Sequence, residues 1–300
     1  MKKVASDIKI IQGNSTDVNR ICSEESGRIA LAVTSPPYHN AIDYESHSTD
    51  SESNYRPRQG LDYAAEYLPL MKAVWDETWT MLKPGGYLAI NVGSVLENGF
   101  HYPLPQDITM QLCSSEPKWE YFRSIVWHKV TAGVKRAGSV IKHQLPGYWY
   151  PNIMTEHIII VRKPGKPLKT NSDVPAEWWE NVWDLAPVPP RSIDHPAPFP
   201  EDIPHRLIRM LTQPGDWIFD PFNGAGSTTK AAFDLGRSAL GLDLEPKYIK
   251  TAITRLDVGS TVRSSQLRIV PISSEDFIPG KSRGTTRHGA GLKTRKGTEK

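Results

Sequence analysis

Trp217-Ile218-Phe219-Asp220-Pro221-Phe222-Asn223-Gly224-Ala225-Gly226-Ser227-Thr228 is the stretch that decides the fold. Three apolar residues run into a turn of small and polar ones, and a helical pattern follows over 227–235. A second short strand, Ser238 to Leu242, ends on Asp243, and a further helix fits 246–256. Strand, glycine turn, helix and strand form the unit from which parallel sheets are built. Gly224 and Gly226 let the backbone pass close to a ligand. The helix start behind them offers unpaired N–H groups at the positive end of its dipole. Asp243, beyond the next strand, can accept hydrogen bonds from ribose hydroxyls. The turn is not a full Gly-x-Gly-x-x-Gly pattern, because position 229 is Thr, and no Gly-Lys-Ser/Thr follows to grip phosphates. The same residues could also make a tight strand-to-helix turn that binds nothing.

Working outward, the same alternation recurs. Ile8-Lys9-Ile10-Ile11 reads as a strand, 16–25 as a short helix and Ile29–Val33 as a second strand that runs into Thr34-Ser35-Pro36-Pro37-Tyr38. Residues 39–60 are polar and read as a loop. A helix is expected over 62–82, stopped by Lys83-Pro84-Gly85-Gly86, and then a buried strand over 87–92. A helix fits 104–114, a strand 121–128 and a strongly apolar strand 157–161. Between those two strands, 129–155 mixes Lys129, Lys135, Arg136, Lys142 and His143 with Tyr148, Trp149 and Tyr150. Residues 163–200 are irregular and carry Trp178, Trp179 and Trp183, and a helix over 201–212 leads into the turn at 213–216. The fold class is α/β, a doubly wound and mostly parallel sheet with helices on both faces.

Bulk properties exclude several classes. The 300 residues carry a net charge of +3, and seven of the 25 prolines cluster in 187–204, where long connections are expected. No stretch approaches the apolar length of a membrane span, and the start meets Asp7 before any apolar run, unlike a signal peptide. Two cysteines, Cys22 and Cys113, argue against a disulfide framework and fit a reducing cytoplasm. Nine histidines show no metal spacing with them, so no metal is expected. Residues 280–300 hold seven Lys/Arg against Glu299 alone, a basic tail expected to be disordered and able to meet phosphates.

The Ser35-Pro36-Pro37-Tyr38 tetrapeptide after an apolar strand is the rarest feature. It suits methylation of an amine conjugated to a ring, whose lone pair is delocalised and weakly nucleophilic. A site helps by accepting hydrogen bonds from that amine in the transition state. Ser35 Oγ and the Pro36 carbonyl would be the acceptors, two prolines would stiffen the loop, and Tyr38 would stack on a base swung out of a duplex. Neither a metal nor a covalent nucleophile is demanded. A proline-stiffened surface loop is the bland alternative.

These residues resemble the DNA amino-methyltransferases that make N4-methylcytosine or N6-methyladenine, over roughly residues 8–256. The resemblance implies a circularly permuted, Rossmann-like methyltransferase fold with a seven-stranded sheet and an inserted recognition region. It implies S-adenosyl-L-methionine as cofactor and double-stranded DNA as partner, with a cognate restriction endonuclease as a possible second partner in a prokaryotic or phage-encoded restriction-modification system. Ser35, Pro36, Pro37 and Tyr38 match the catalytic loop, whose Ser form is associated mainly with cytosine N4 and whose Asp or Asn form mainly with adenine. Asp220, Phe222, Asn223, Gly224, Gly226, Ser227 and Thr228 match the cofactor loop, and Asp243 the acid after its second strand. His195, Phe199 and Pro200 lie in the matching upstream segment, and Thr34 precedes the catalytic loop. Asn14 stands where many relatives carry Asp after Gly, and it is assigned to the cofactor on that basis. Leu82-Lys83-Pro84-Gly85-Gly86 matches a structural turn of the fold.

The order, catalytic loop first and cofactor loop some 180 residues later, resembles the permuted β class. Protein-glutamine methyltransferases place the cofactor loop first, and cytosine-C5 enzymes need Pro-Cys, which neither cysteine here provides. The expected organisation is a catalytic domain over 1–257, a target-recognition region at about 129–194 and the basic tail over 258–300. His39, Asn40 and Asp43 could meet the target strand, and the three tryptophans read more readily as packing than as base wedges. Two other classes stay open, a non-catalytic DNA-binding protein on the same fold and a nicotinamide-dependent oxidoreductase. Intact Ser35, Tyr38 and Asp243 argue against the first, and the missing third glycine against the second.

Overall fold

The central strands Ile8–Gln12, Ile29–Thr34, Trp217–Asp220 and Ser238–Asp243 read as largely apolar runs because helices cover both faces of the sheet there. The computed structural model describes residues 6–39, 62–97, 100–130, 153–189, 199–257 and 267–270. In β1 (Ile8–Gln12) and β2 (Ile29–Thr34) nearly every residue is buried. Along β3 (Leu82–Val92), Leu88 and Ile90 join one core cluster while Tyr87 and Ala89 join the other. This is the two-residue alternation of a pleated strand between two packed layers.

Two short strands, β4 (Val95–Glu97) and β5 (Phe100–Tyr102), form a separate antiparallel pair that the sequence did not signal. The main sheet adds β6 (Glu120–Lys129), β7 (Thr155–Arg162), β8 (Val182–Leu185), β9 (Trp217–Asp220), β10 (Ser238–Asp243) and β11 (Leu267–Val270). Its order is β11-β1-β10-β9-β2-β3-β7-β6-β8. From β11 to β3 every pairing is parallel; β7 is antiparallel to β3 and β6, and β8 is parallel to β6. The seven strands from β1 to β6 in this order match the expected seven-stranded sheet. β11 and β8 each extend an edge, making nine among the described residues.

One face carries α1 (Val18–Ile21), α2 (Leu68–Met81) and α3 (Leu104–Ser114), which bury Val18, Met71, Trp75, Leu104 and Ile108. The other carries α4 (Asp202–Leu211), α5 (Ser227–Asp234) and α6 (Pro246–Asp257), with Ile203, Leu207, Ala231, Ala252 and Leu256 in its core. A large side chain as fully buried as Trp75 contributes roughly 1.5–3 kcal/mol.

Several expected boundaries shift. The helix expected over 62–82 opens as a π turn, Tyr63–Tyr67, before α2. Pro69 lacks the N–H that would bond four residues back and its ring crowds that carbonyl, which the wider turn accommodates. The Lys83–Gly86 turn does stop the helix, but it is absorbed into β3 as an irregularity in the pairing with β2. Gly85, at φ 80°, needs to be glycine there, because a Cβ would lie 2.1 Å from the Lys166 carbonyl oxygen. The helix expected over 16–25 is broken into α1 and flanking 3-10 turns. Within the irregular 163–200 stretch lie a 3-10 turn at Ala176–Trp179 and β8. The tail expected to be disordered over 258–300 contributes β11, paired with β1; the rest of it lies outside the described residues. Among the described residues, no helix is long and apolar enough to cross a membrane.

Candidate active site

Connections from the centre of the sheet diverge. β2 crosses through α2 to β3 on one side, while β9 crosses through α5 to β10 on the other. Neighbouring parallel strands whose connections leave in opposite directions open a crevice at their carboxyl ends, the usual ligand position in such sheets. The Ser35–Tyr38 loop and the Pro221–Gly226 loop emerge there side by side. The sequence separates Thr34 from Asp220 by 186 positions, yet Thr34 Oγ1 donates to Asp220 Oδ1 at 2.7 Å.

Asp220 ties the two loops together. Its Oδ1 also accepts the Phe222 amide at 3.0 Å, and Thr228 Oγ1 donates to the Val33 carbonyl at 3.2 Å. The carboxyl is fully buried, and burial pushes its pKa up to about 6 against the hydrogen bonds of Thr34, Thr228 and the Phe222 amide. Thr34, Asp220 and Thr228, assigned to the cofactor from the sequence, therefore turn their side chains toward the protein interior. They shape the crevice by fixing its walls.

Asn223 behaves similarly. Its amide donates to the Leu242 carbonyl at 2.8 Å, and its side-chain oxygen accepts from Thr229 Oγ1 at 3.1 Å. Asn223 packs so tightly on β10 that a Cβ at Gly241 would lie 2.5 Å from it. Gly224 and Gly226 adopt φ 47° and 82°, left-handed values suited to glycine. Within the turn the Gly226 amide donates to the Asn223 carbonyl at 2.7 Å.

Asp243 stands at the end of β10, partly exposed, with Oδ2 accepting the Gly224 amide at 2.8 Å and Oδ1 the Glu245 amide at 2.9 Å. Ser227 Oγ donates to the Phe199 carbonyl at 3.3 Å, which brings Phe199 and Pro200 onto the start of α5. Phe222 lies edge-on to Trp75, with ring centroids 6.3 Å apart. Asn14 follows β1 on the same edge, but its side-chain oxygen caps the next turn, accepting from the Thr16 amide at 2.9 Å and hydroxyl at 2.7 Å. Ser15 Oγ bonds the Pro221 carbonyl, tying this turn to the glycine loop. His195 lies outside the described residues.

The Ser35–Tyr38 loop is clamped from several sides. Ser35 is partly exposed and Pro36 buried. Tyr67, from the π turn, donates its hydroxyl to the Pro37 carbonyl at 2.9 Å, one residue beyond the carbonyl expected to act in the chemistry. Tyr38 Oη donates to Glu156 Oε2 at 2.7 Å, and Asn91 Nδ2 donates to the same oxygen at 2.6 Å. Lys129 pairs with the other oxygen of Glu156. His39 is buried among the rings of Tyr63, Tyr67 and Tyr102 at 5.2, 5.3 and 5.7 Å, so it packs the loop rather than facing outward. Burial and the Asp107 carboxylate, 2.8 Å from its hydroxyl, hold the Tyr63 phenol far above its usual range. Asn40 and Asp43 lie outside the described residues.

Sequence reading missed Glu156, Asn91 and Tyr67. One signal was available, an acid at the head of the apolar run Ile158–Val161, where a sheet interior has no use for charge. Of the basic, aromatic 129–155 segment, Lys129 is described and joins the site; Lys135, Arg136, Lys142, His143, Tyr148, Trp149 and Tyr150 lie outside the described residues. Trp183 is fully buried, and Arg206 stacks between the rings of Trp178 and Trp183 at 5.3 and 5.1 Å. Those two tryptophans pin the irregular segment to α4, while Trp179 is 58% exposed. Among the described residues no group of three or more His, Cys, Asp or Glu could hold a metal ion.

At the carboxyl ends of β2 and β9 the Ser35–Tyr38 loop thus stands beside the glycine turn, whose Gly224 amide is held by Asp243. The chain has known relatives. Residues 29–254 match the family described as DNA methylase, N6_N4_Mtase. The type II beta methyltransferase M.BslI of Bacillus sp. (strain NEB-606) is 29% identical over 266 residues, covering 83% of this chain and 27% of that protein. The type II methyltransferase M.MjaI of Methanocaldococcus jannaschii is 28% identical over 282 residues, 83% of this chain and 91% of that one. A DNA modification methylase of Thermus thermophilus, solved in complex with S-adenosyl-L-methionine, aligns over 87% of this chain and 99% of its own. Its TM-score is 0.60 at 29% identity. The DNA adenine methyltransferase YhdJ of Escherichia coli is 36% identical over 108 residues, 34% of this chain and 36% of its own. The cytosine-N4-specific PvuII DNA methyltransferase shares the fold at 18% identity, with a TM-score of 0.65 over 88% of this chain and 90% of its own. The match over most of its length, in a chain whose Ser-Pro-Pro-Tyr loop stands beside its glycine turn, places the chain in the N6/N4 family of DNA methylases.

Proposed function

We propose that the chain is a type II DNA methyltransferase that methylates the exocyclic N4 amine of cytosine within a specific duplex sequence. The observation that carries this reading is the Ser35-Pro36-Pro37-Tyr38 loop, joined to the glycine loop through the buried Thr34–Asp220 bond. Since the family holds enzymes of both base specificities, the choice of cytosine rests on serine at position 35.

The cofactor is S-adenosyl-L-methionine, which supplies an activated methyl group on a sulfonium. The residues present suit it. The backbone of Gly224–Gly226 would lie along it, Asp243 would accept from its ribose hydroxyls, and Phe199, Pro200 and Phe222 would enclose its base. Asp243 would exchange the Gly224 and Glu245 amides for those hydroxyls or share its lone pairs among them. The Asn14 amide, engaged as a turn cap, is the least committed of these contacts.

Ser35 Oγ and the Pro36 carbonyl accept the amine hydrogens of the target as its nitrogen becomes electron-poor, a stabilisation present in the transition state more than in the ground state. Tyr38 offers its ring face to the extruded base. Holding both reacting groups in line removes most of the entropic barrier to a bimolecular transfer. The recognition region lies within about 129–194, reading the target between the catalytic and cofactor loops in chain order. A restriction endonuclease acting on the same site is the expected partner of such an enzyme.

Transfer of tritiated methyl groups to duplex DNA tests this reading. The expected result is incorporation that saturates at a fixed number of sites per DNA molecule. A protein that binds S-adenosyl-L-methionine yet labels no DNA would contradict it.

A further inference from the structure

We propose that Glu156 is the positioning residue for Tyr38, fixing the plane of its ring before the target base arrives; this rests on the catalytic reading of the Thr34–Tyr38 loop. Glu156 sits in β7 opposite the end of β3 and is 8% exposed. Charge in the interior of a sheet costs free energy, and a well-packed apolar residue commonly serves stability as well as a buried ion pair. The partners of Glu156 all stand at the active-site end of the sheet. Oε2 accepts from Tyr38 Oη at 2.7 Å and Asn91 Nδ2 at 2.6 Å, while Oε1 is paired with Lys129.

Those partners come from three other places in the chain, the catalytic loop, β3 and β6. The backbone makes room for them as well. A Cβ at Gly93 would lie 3.0 Å from Glu156 Cγ and 3.7 Å from Tyr38 Cε2, so a side chain there would crowd the pair. A tyrosine side chain turns about only a few bonds, and anchoring its hydroxyl leaves the ring plane little freedom. The near end of the loop is held separately, by Tyr67 on the Pro37 carbonyl. Lys129 and Asn91 hold the carboxylate, the carboxylate holds the phenol, and the ring face is set without touching the base. Fixing a stacking surface in advance is the kind of preorganisation that speeds a positioned transfer.

The test is a double-mutant cycle with E156Q and Y38F, reading kcat for methyl transfer to DNA, the affinity for S-adenosyl-L-methionine and the melting temperature. Each single change is expected to lower kcat by about tenfold, the size of one charge-assisted hydrogen bond. Cofactor affinity is expected to stay within about twofold, since neither change touches the cofactor loop. The double variant is expected to be no worse than Y38F alone, because Glu156 acts through that hydroxyl. Wild-type kcat in E156Q, or losses that multiply to about a hundredfold in the double variant, would overturn the proposal. If E156Q folds poorly because Lys129 is left uncompensated, K129M/E156Q removes that charge and replaces it in the cycle. Wild type in the same assay separates the two readings. No transfer by wild type overturns the catalytic role of the loop and this inference with it, whereas active wild type with an unaffected E156Q overturns only the positioning role.

Discussion

At Asp220, burial and hydrogen bonding pull in opposite directions, and burial wins. The carboxyl is raised from 3.8 to about 6 although three donors favour its charged form. A folded-state value above the unfolded one means that the folded chain holds the proton more tightly between those two values. This group's contribution to stability therefore falls as pH rises from about 4 to 6. At neutral pH the cost is on the order of 3 kcal/mol. Asp220→Asn keeps an oxygen for Thr34 and the Phe222 amide while removing the charge. Urea titrations at about pH 4.5, where the folded carboxyl still holds its proton, and at about pH 7.5, where it has lost it, are expected to show the variant gaining on wild type at the higher pH. A gap that is equal at both pH values would show that Asp220 does not titrate there. Ser35 is the other residue whose role reduces to one atom. Ser35→Ala is expected to lower methyl transfer by at least about a hundredfold, as loss of a group aimed at developing charge does. Calorimetry should find cofactor affinity nearly unchanged, and full activity in the variant would remove the hydroxyl from the mechanism.

Among the elements, α5 depends most on a single backbone conformation. Gly226 enters it at φ 82°, and a Cβ there would lie 2.8 Å from Ala252 Cβ on α6. Gly226→Ala therefore combines a left-handed alanine with a helix–helix clash and is expected to cost about 2–3 kcal/mol. Because the clash displaces the glycine turn, cofactor affinity should weaken as well, measurable by calorimetry on the folded fraction. Elements of this kind were legible in sequence where local signals agree. α3 falls on 104–114 as expected, since Pro103 and Pro105 mark its start and apolar spacing carries its length. The π turn before α2 was not legible, because Tyr63, Tyr67 and Leu70 keep a helical spacing that says nothing about a local widening. β8 and β11 are four-residue edge strands whose pairing is decided by neighbours far away in sequence. The same distance hid the Glu156 cluster, whose partners lie 118, 65 and 27 positions away. Residue chemistry pointed to the two loops; only the folded sheet brings Asp220 to Thr34 and Glu156 to Tyr38.

For the molecule as a whole, the permuted chain order and the sheet order fit together. The Ser35–Tyr38 and Pro221–Gly226 loops, far apart in sequence, emerge from neighbouring strands, β2 and β9, where the connections diverge. Recognition of the family from local motifs thus amounted to recognition of this crevice. β11 lies outside the expected seven strands and closes the β1 edge. A chain ending at Asp257 exposes that edge and is expected to lose about 1–2 kcal/mol while still binding cofactor, which thermal melts with and without S-adenosyl-L-methionine would show. The central claim concerns the chemistry at the crevice. Its most direct test is mass spectrometry of nucleosides from DNA treated with the protein and S-adenosyl-L-methionine. The account expects N4-methylcytosine, absent from the Ser35→Ala reaction; N6-methyladenine as the sole new nucleoside would contradict it.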